Sequence, residues 1–192
     1  MKRLLICCSL LLGGLISVQA QKDAELIERM NVIMKATQSG DIEKVLDYTY
    51  PKLFTIASRE ELTKTMKAGL NPEGFTTTLD SVKLIKLNPV FTIGSGQYAL
   101  IEHSIVMRMK FNEPVDEAKL GALLPGMEEA YGKDNVRFDK KANALSIKIN
   151  AQMVAVKDEF AKEWCFVNFS EDDEMAGMLF SEEVLDKLAT YQ

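Results

Sequence analysis

"QYALIEHSIVMRMKF", residues 97–111, alternates along its whole length. One side carries Ala99, Ile101, His103, Ile105, Met107, Met109 and Phe111. The other carries Tyr98, Leu100, Glu102, Ser104, Val106, Arg108 and Lys110. A period of two with one apolar side predicts a strand that lays one face on a core. The single histidine of the chain, His103, stands in the middle of that apolar face. It is either a core residue or a group inside a cavity.

A second stretch repeats the pattern. In "ALSIKINAQMVA", residues 144–155, Leu145, Ile147, Ile149, Ala151, Met153 and Ala155 share a side, with Ser146, Lys148, Asn150 and Gln152 opposite. Residues 139–143 predict a hairpin connection ahead of it. "FTTTLDSVKLIKLNPVFTI", residues 75–93, is rich in threonine, valine and isoleucine and reads as strand, interrupted at Asn88-Pro89. "GSG" at 94–96 is a turn, and residues 162–170 predict a last strand. The six apolar positions Ile101, Ile105, Met107, Leu145, Ile147 and Ile149 are expected on one buried face, covered by the first three helices.

Those helices precede the strands. In "DAELIERMNVIMKATQSG", residues 23–40, Ile27, Met30, Ile33, Met34 and Thr37 recur at helical spacing, and Ser39-Gly40 marks the stop. Asp41 can cap a second helix carrying Ile42, Val45, Leu46 and Thr49, which Pro51 would interrupt. Ser58 and Glu61 form a capping box for a third, with Leu62 and Met66 inward. An inserted helix is expected near 116–131, bent or short at Pro125-Gly126, with Leu120, Leu123, Leu124 and Met127 on one side. Glu171 to Glu174 reads as a solvated turn, and "SEEVLDKL" from Ser181 as a closing helix with a serine cap. Helices grouped first and strands joined mostly by turns define an α+β domain: N-terminal helices on a curved antiparallel sheet.

The first twenty residues have a different purpose. "MKRLLICCSLLLGGLISVQA" places Lys2 and Arg3 before an apolar run, then Val18-Gln19-Ala20. That is the layout of a secretory signal peptide, with cleavage expected before Gln21. Residues 1–20 are thus read as signal and 21–192 as one domain, periplasmic or secreted. No later stretch approaches the length of a membrane span. Residues 21–192 hold 21 bases against 28 acids, a net charge of −7. Nucleic-acid binding needs a basic footprint, so that class of partner is excluded. Two of the three cysteines belong to the signal segment, which leaves Cys165 without an intramolecular partner. It reads as a buried thiol.

The order of elements resembles the nuclear transport factor two-like superfamily, which includes ketosteroid isomerase, scytalone dehydratase and the polyketide cyclases. The resemblance lies in "ATQSGDIEKVLDYTYPKLF", the helix at 58–69, the strand at 97–111 and "KEWCFVNF". It implies a cone whose conical cavity lies between sheet and helices. The isomerases place an acidic base and a hydrogen-bonding pair there. No such set aligns with this chain, and the face around His103 holds no Asp or Glu.

Six residues are candidates for a ligand site: Asp47, Tyr48, Tyr50, His103, Met107 and Trp164. A buried imidazole has its charged form disfavoured and could serve as a general base if an acid or tyrosine orients it. Asp47, Tyr48 and Tyr50, at the end of the second helix, are the nearest groups for that role. Tyrosines there also suit anchoring of helix to sheet. Trp164 and Phe166 alternate on the last strand and suit either stacking or core. Methionines on the apolar faces, Met107 among them, suit an adaptable apolar pocket. One histidine and one cysteine in the mature chain build no zinc site, and no cofactor is expected. The reading is an exported, non-enzymatic domain that binds a small apolar ligand or a protein partner through the cavity or a sheet face. A second copy meeting it through the sheet is a further candidate partner. A lyase or isomerase using His103 is the alternative.

Overall fold

The computed structural model describes the backbone of residues 9–170 and 174–191, and side chains from Ala24 onward. Lys2 and Arg3, the basic start of the stretch read as a signal peptide, and three of the four acids from Glu171 to Glu174 lie outside the described residues.

Three helices lead the chain: α1 (Ser9–Ser39), α2 (Ile42–Asp47) and α3 (Arg59–Leu70). Helix α1 ends at Ser39 because Gly40 takes a left-handed φ of 69° that a side chain would resist. Its buried stripe is Leu26, Met30, Ile33 and Met34. Ile27, expected in that stripe, is 43% exposed. The stripe is turned by about one position, and Leu26 takes the place beside Trp164. The Asp41 carboxylate accepts from the Lys44 N–H and caps α2. The Ser58–Glu61 capping box closes on itself at the start of α3.

Proline does not end α2. The helix stops at Asp47, and Pro51 opens a short 3-10 turn, Pro51–Thr55. The cause lies on the far side of the sequence. The Phe166 N–H donates to the Tyr48 carbonyl, and the Tyr50 N–H donates to the Phe166 carbonyl. Residues 48–50 are therefore drawn out beside the last strand.

The strands are β1 (Phe75–Leu87), β2 (Phe91–Ile93), β3 (Gly96–Phe111), β4 (Val136–Asp139), β5 (Ala144–Lys157) and β6 (Cys165–Phe169). They form one antiparallel sheet in which β3 and β5 are central. Strand β1 and the short β2 pair with the outer side of β3, and β4 and β6 with that of β5. The β1–β3 register slips between Leu79 and Ser81, and again between Leu84 and Lys86. Strand β6 begins at Cys165 rather than Lys162. The chain between β5 and β6 is spent on a turn in which the Asp158 carboxylate accepts from the N–H groups of Phe160 and Ala161.

The expected apolar face exists, and its cover is divided. Ile101 is wholly buried with Ala99, Met153 and Ala155 beneath α1. Leu145 and Ile147 are wholly buried too, but their cluster holds Leu124 and Met127 of the inserted helix α4 (Glu117–Tyr131). The first three helices thus cover only half of the face. They cannot reach the other half, which lies at the hairpin end of β5, next to α4. Ile105, Met107 and Ile149 are half-buried. Helix α4 runs through Pro125 without interruption and has no fully buried residue.

The opposite face is apolar at one end, which the alternation did not anticipate. Tyr98, Leu100, Val154 and Val156 are buried there against α5 (Glu174–Leu179) and α6 (Glu182–Ala189). Glu174 opens α5 instead of closing a turn. Ser181 precedes α6, but its side chain makes no cap bond. Towards the other end this outer face is polar. Lys86 pairs with Glu102 at 3.5 Å and Arg108 with Asp80 at 2.6 Å. Register places Lys83, Lys110, Arg137 and Lys148 on the same face, all exposed. No helix among the described residues is long and apolar enough to cross a membrane.

Candidate functional site

Helices α1–α3 do not close down on the sheet. They leave a cavity of about 510 Å³. Ile33, Met34 and Thr37 of α1 form one wall, and Ile42, Val45 and Leu46 of α2 continue it. Leu62, Met66 and Leu70 of α3 form the roof. Leu79 and Val82 of β1, Ile105 of β3 and Met153 of β5 form the floor. The void follows from α3: its inward side chains are only half-buried, so the helix stands off the sheet. Gly69, Asn168 and Met175 are exposed lining residues and mark where the cavity meets solvent.

His103 lies in the floor of this cavity. It faces Leu84 on β1 and Ala151 on β5. Only 5% of the residue is exposed, and its Nδ1 has no hydrogen-bond partner. A buried polar atom without a partner costs about 1–3 kcal/mol. Burial pushes the imidazole below its ordinary value, while a hydrogen bond to the Ile101 backbone works the other way. The ring is therefore neutral at neutral pH. Among the described residues no Asp, Glu, Lys, Arg or Tyr lines the cavity.

The other five candidates stand elsewhere. Asp47 is exposed and accepts from the Arg59 guanidinium at 2.8 Å. The Tyr48 ring lies under the guanidinium of Arg29, 4.5 Å from its centroid. Tyr50 is buried, stacks on Phe180 and donates its hydroxyl to Asp158 at 2.6 Å. Burial first, and then the Asp158 carboxylate, push that phenol far above its ordinary range. Tyr50 thus ties the end of α2 to the β5–β6 turn. Met107 packs in the α4 cluster. Trp164 is 1% exposed against α1; its carbonyl accepts from Arg29 Nε at 2.6 Å, and its own Nε1 has no partner. Of the six, only His103 lines the cavity, and none of the acids and tyrosines named beside it turns towards it. Buried Cys165, on the opposite face, has its thiol pushed up by burial.

Thr37, Thr49 and Asn168 are lining polar groups that the sequence reading passed over. Asn168 had a signal. Trp164 and Phe166 alternate towards α1, and the same parity carried two residues further reaches Asn168, which faces Met153. The Thr49 hydroxyl is already used, donating to the Val45 carbonyl at 3.0 Å.

Among the described residues no three His, Cys, Asp or Glu side chains gather as metal ligands. No family model matches the chain, and no curated protein matches it. The site therefore rests on geometry: an apolar chamber with a buried histidine in its floor.

Proposed function

We propose that this is an exported binding domain of the nuclear transport factor two-like kind, which takes a small apolar ligand between α1–α3 and the sheet. The cavity carries this reading. Its size lies within the range of small-molecule sites, and its lining is dominated by aliphatic and methionine side chains. Met34, Met66 and Met153 can re-pack around ligands of different outline. Catalysis is the weaker reading. A base needs an orienting partner, and among the described residues the lining offers His103 no carboxylate or phenol.

The test uses a neutral apolar dye, Nile red, and the variant Ile105→Trp, which adds bulk to the cavity floor. Saturable dye binding by the wild type, lost in a variant with an unchanged circular dichroism spectrum, is the expected result. Absence of saturable binding, or binding that Ile105→Trp leaves intact, would refute the cavity reading.

A further inference from the structure

The cavity has a direction, because its floor steps diagonally across the sheet. On β1 it uses Leu79 and Val82, and Val82 stands opposite Ile105. On β3 it uses Ile105 and His103. On β5 it uses Met153, which has moved on to stand opposite Ile101. On β6 Asn168 stands opposite Met153, and Phe166 carries the step further. The floor thus shifts by about two residues, roughly 7 Å, for each ~4.8 Å crossed. From Leu79 to Asn168 the path along the sheet is roughly 20–25 Å. It is also narrow. The inward neighbours on β3 are committed elsewhere: Ile101 is buried beneath α1, and Met107 packs in the α4 cluster.

The roof runs the same way. Leu62, early in α3, packs on the cluster that holds Leu53 and Val167, beside β6. Leu70, at the end of α3, lies against Gly40, where an added Cβ would meet its Cδ1 at 3.7 Å. The nearby Gln38 amide donates to the Asp80 carbonyl, next to Leu79 on β1. Both ends of the slot meet solvent: Gly40 and Gly69 are exposed lining residues at the β1 end, Asn168 and Met175 at the β6 end. We propose that the ligand is a single-chain lipid, one long unbranched hydrocarbon chain laid lengthwise from β1 to β6 with its polar end in the water at a mouth. This rests on the cavity reading above and adds the ligand's shape. An unbranched chain can fill a long, narrow slot that a compact ring system of the same carbon count would leave partly empty. Among the described residues no charged side chain lines the slot, so a charged head has no counter-ion inside and stays in solvent.

Alcohols compete with Nile red on the mature protein at pH 8. Dodecan-1-ol and cyclododecanol share carbon count and hydroxyl and differ in shape. The straight alcohol is expected to displace the dye about tenfold more effectively, because the ring leaves much of the slot's length unfilled. From octan-1-ol to tetradecan-1-ol, affinity should rise about fourfold per carbon, the factor that one buried methylene supplies. Dodecanoate should displace the dye as well as dodecan-1-ol, since its head stays hydrated. Leu79→Trp fills the β1 end. It should abolish the gain between decan-1-ol and tetradecan-1-ol and leave octan-1-ol unchanged. Should that variant fail to fold, Asn168→Trp at the exposed opposite end serves, and the wild-type comparison of chain with ring still decides the shape. Cyclododecanol equal to or better than dodecan-1-ol would overturn the chain and leave the apolar cavity standing. A series that stops rising at octan-1-ol would overturn the length. Dodecanoate weaker by about tenfold, a cost of 1.4 kcal/mol, would put the polar end inside. A length gain that survives a filled end would overturn the path from β1 to β6. Failure of every probe together with the dye would sink the cavity reading itself.

Discussion

His103 is folded into surroundings that favour its uncharged form. Burial lowers its proton affinity below the ordinary value of 6.5. The unfolded chain therefore takes up a proton at a higher pH than the folded one. By linkage, the stability His103 permits is complete above about pH 6.5 and declines as the pH falls from there towards the folded-state value. His103→Gln keeps a polar side chain and removes the titration. Urea unfolding at roughly pH 7.5 and 5.5 should show the wild type losing stability that the variant keeps. Parallel curves would mean that folding leaves the ring's proton affinity unchanged. Strand parity alone put His103 on the inner face, and it is there. That none of the acids or tyrosines near it in the sequence reading would turn towards it was not legible, because partners are chosen across the fold. Tyr50 is committed to Asp158, 108 positions away. Asp47 is held by Arg59.

Two isoleucines on one face separate packing from cavity. Ile147 is wholly buried between Met107 of β3 and Val136 of β4. Ile147→Ala should cost about 2–5 kcal/mol, the range for deleting a buried aliphatic side chain. Ile105 borders the void and is half-buried, so Ile105→Ala should cost clearly less. Chemical denaturation measures both. A loss below roughly 0.5 kcal/mol for Ile147 would place it at the surface and the register off by one. The strands, the inserted helix and the caps at Asp41 and Ser58 were legible because each rests on neighbours within a few positions. The second covered face was not extracted, although "AQMVAV" at 151–156 signals it: Val154 and Val156 break the polar parity kept by Ser146 to Gln152. Apolar residues on both parities mean cover on both sides, and α5 and α6 supply it. Which helix covers which half of a face depends on how far each can reach, and no local pattern encodes that.

At the scale of the whole molecule, charge is unevenly spread. The mature chain is expected to be acidic, yet the outer sheet face gathers Lys83, Lys110, Arg137 and Lys148. A second copy docked symmetrically through that face would set these cations against their own counterparts. Pairing there would need salt to screen it. Export is tested directly by intact mass. The secreted or periplasmic species should begin at Gln21, and a species that keeps Met1 or carries lipid would count against the proposed processing.

The borders of the sheet carry one more consequence. Strand β1 is a border 13 residues long, and its register slips twice. At the first slip the free Asp80 carbonyl is taken by the Gln38 amide at 3.1 Å, and Lys83 and Lys86 stand exposed further along. On the other side β4 has only four residues. The main-chain groups of Phe166 in β6 are already taken by Tyr48 and Tyr50. A free, flat border is a template on which another chain can crystallise into a fibril. Here the slips and exposed lysines of β1, the shortness of β4 and the pairing of β6 with residues 48–50 break up such a border.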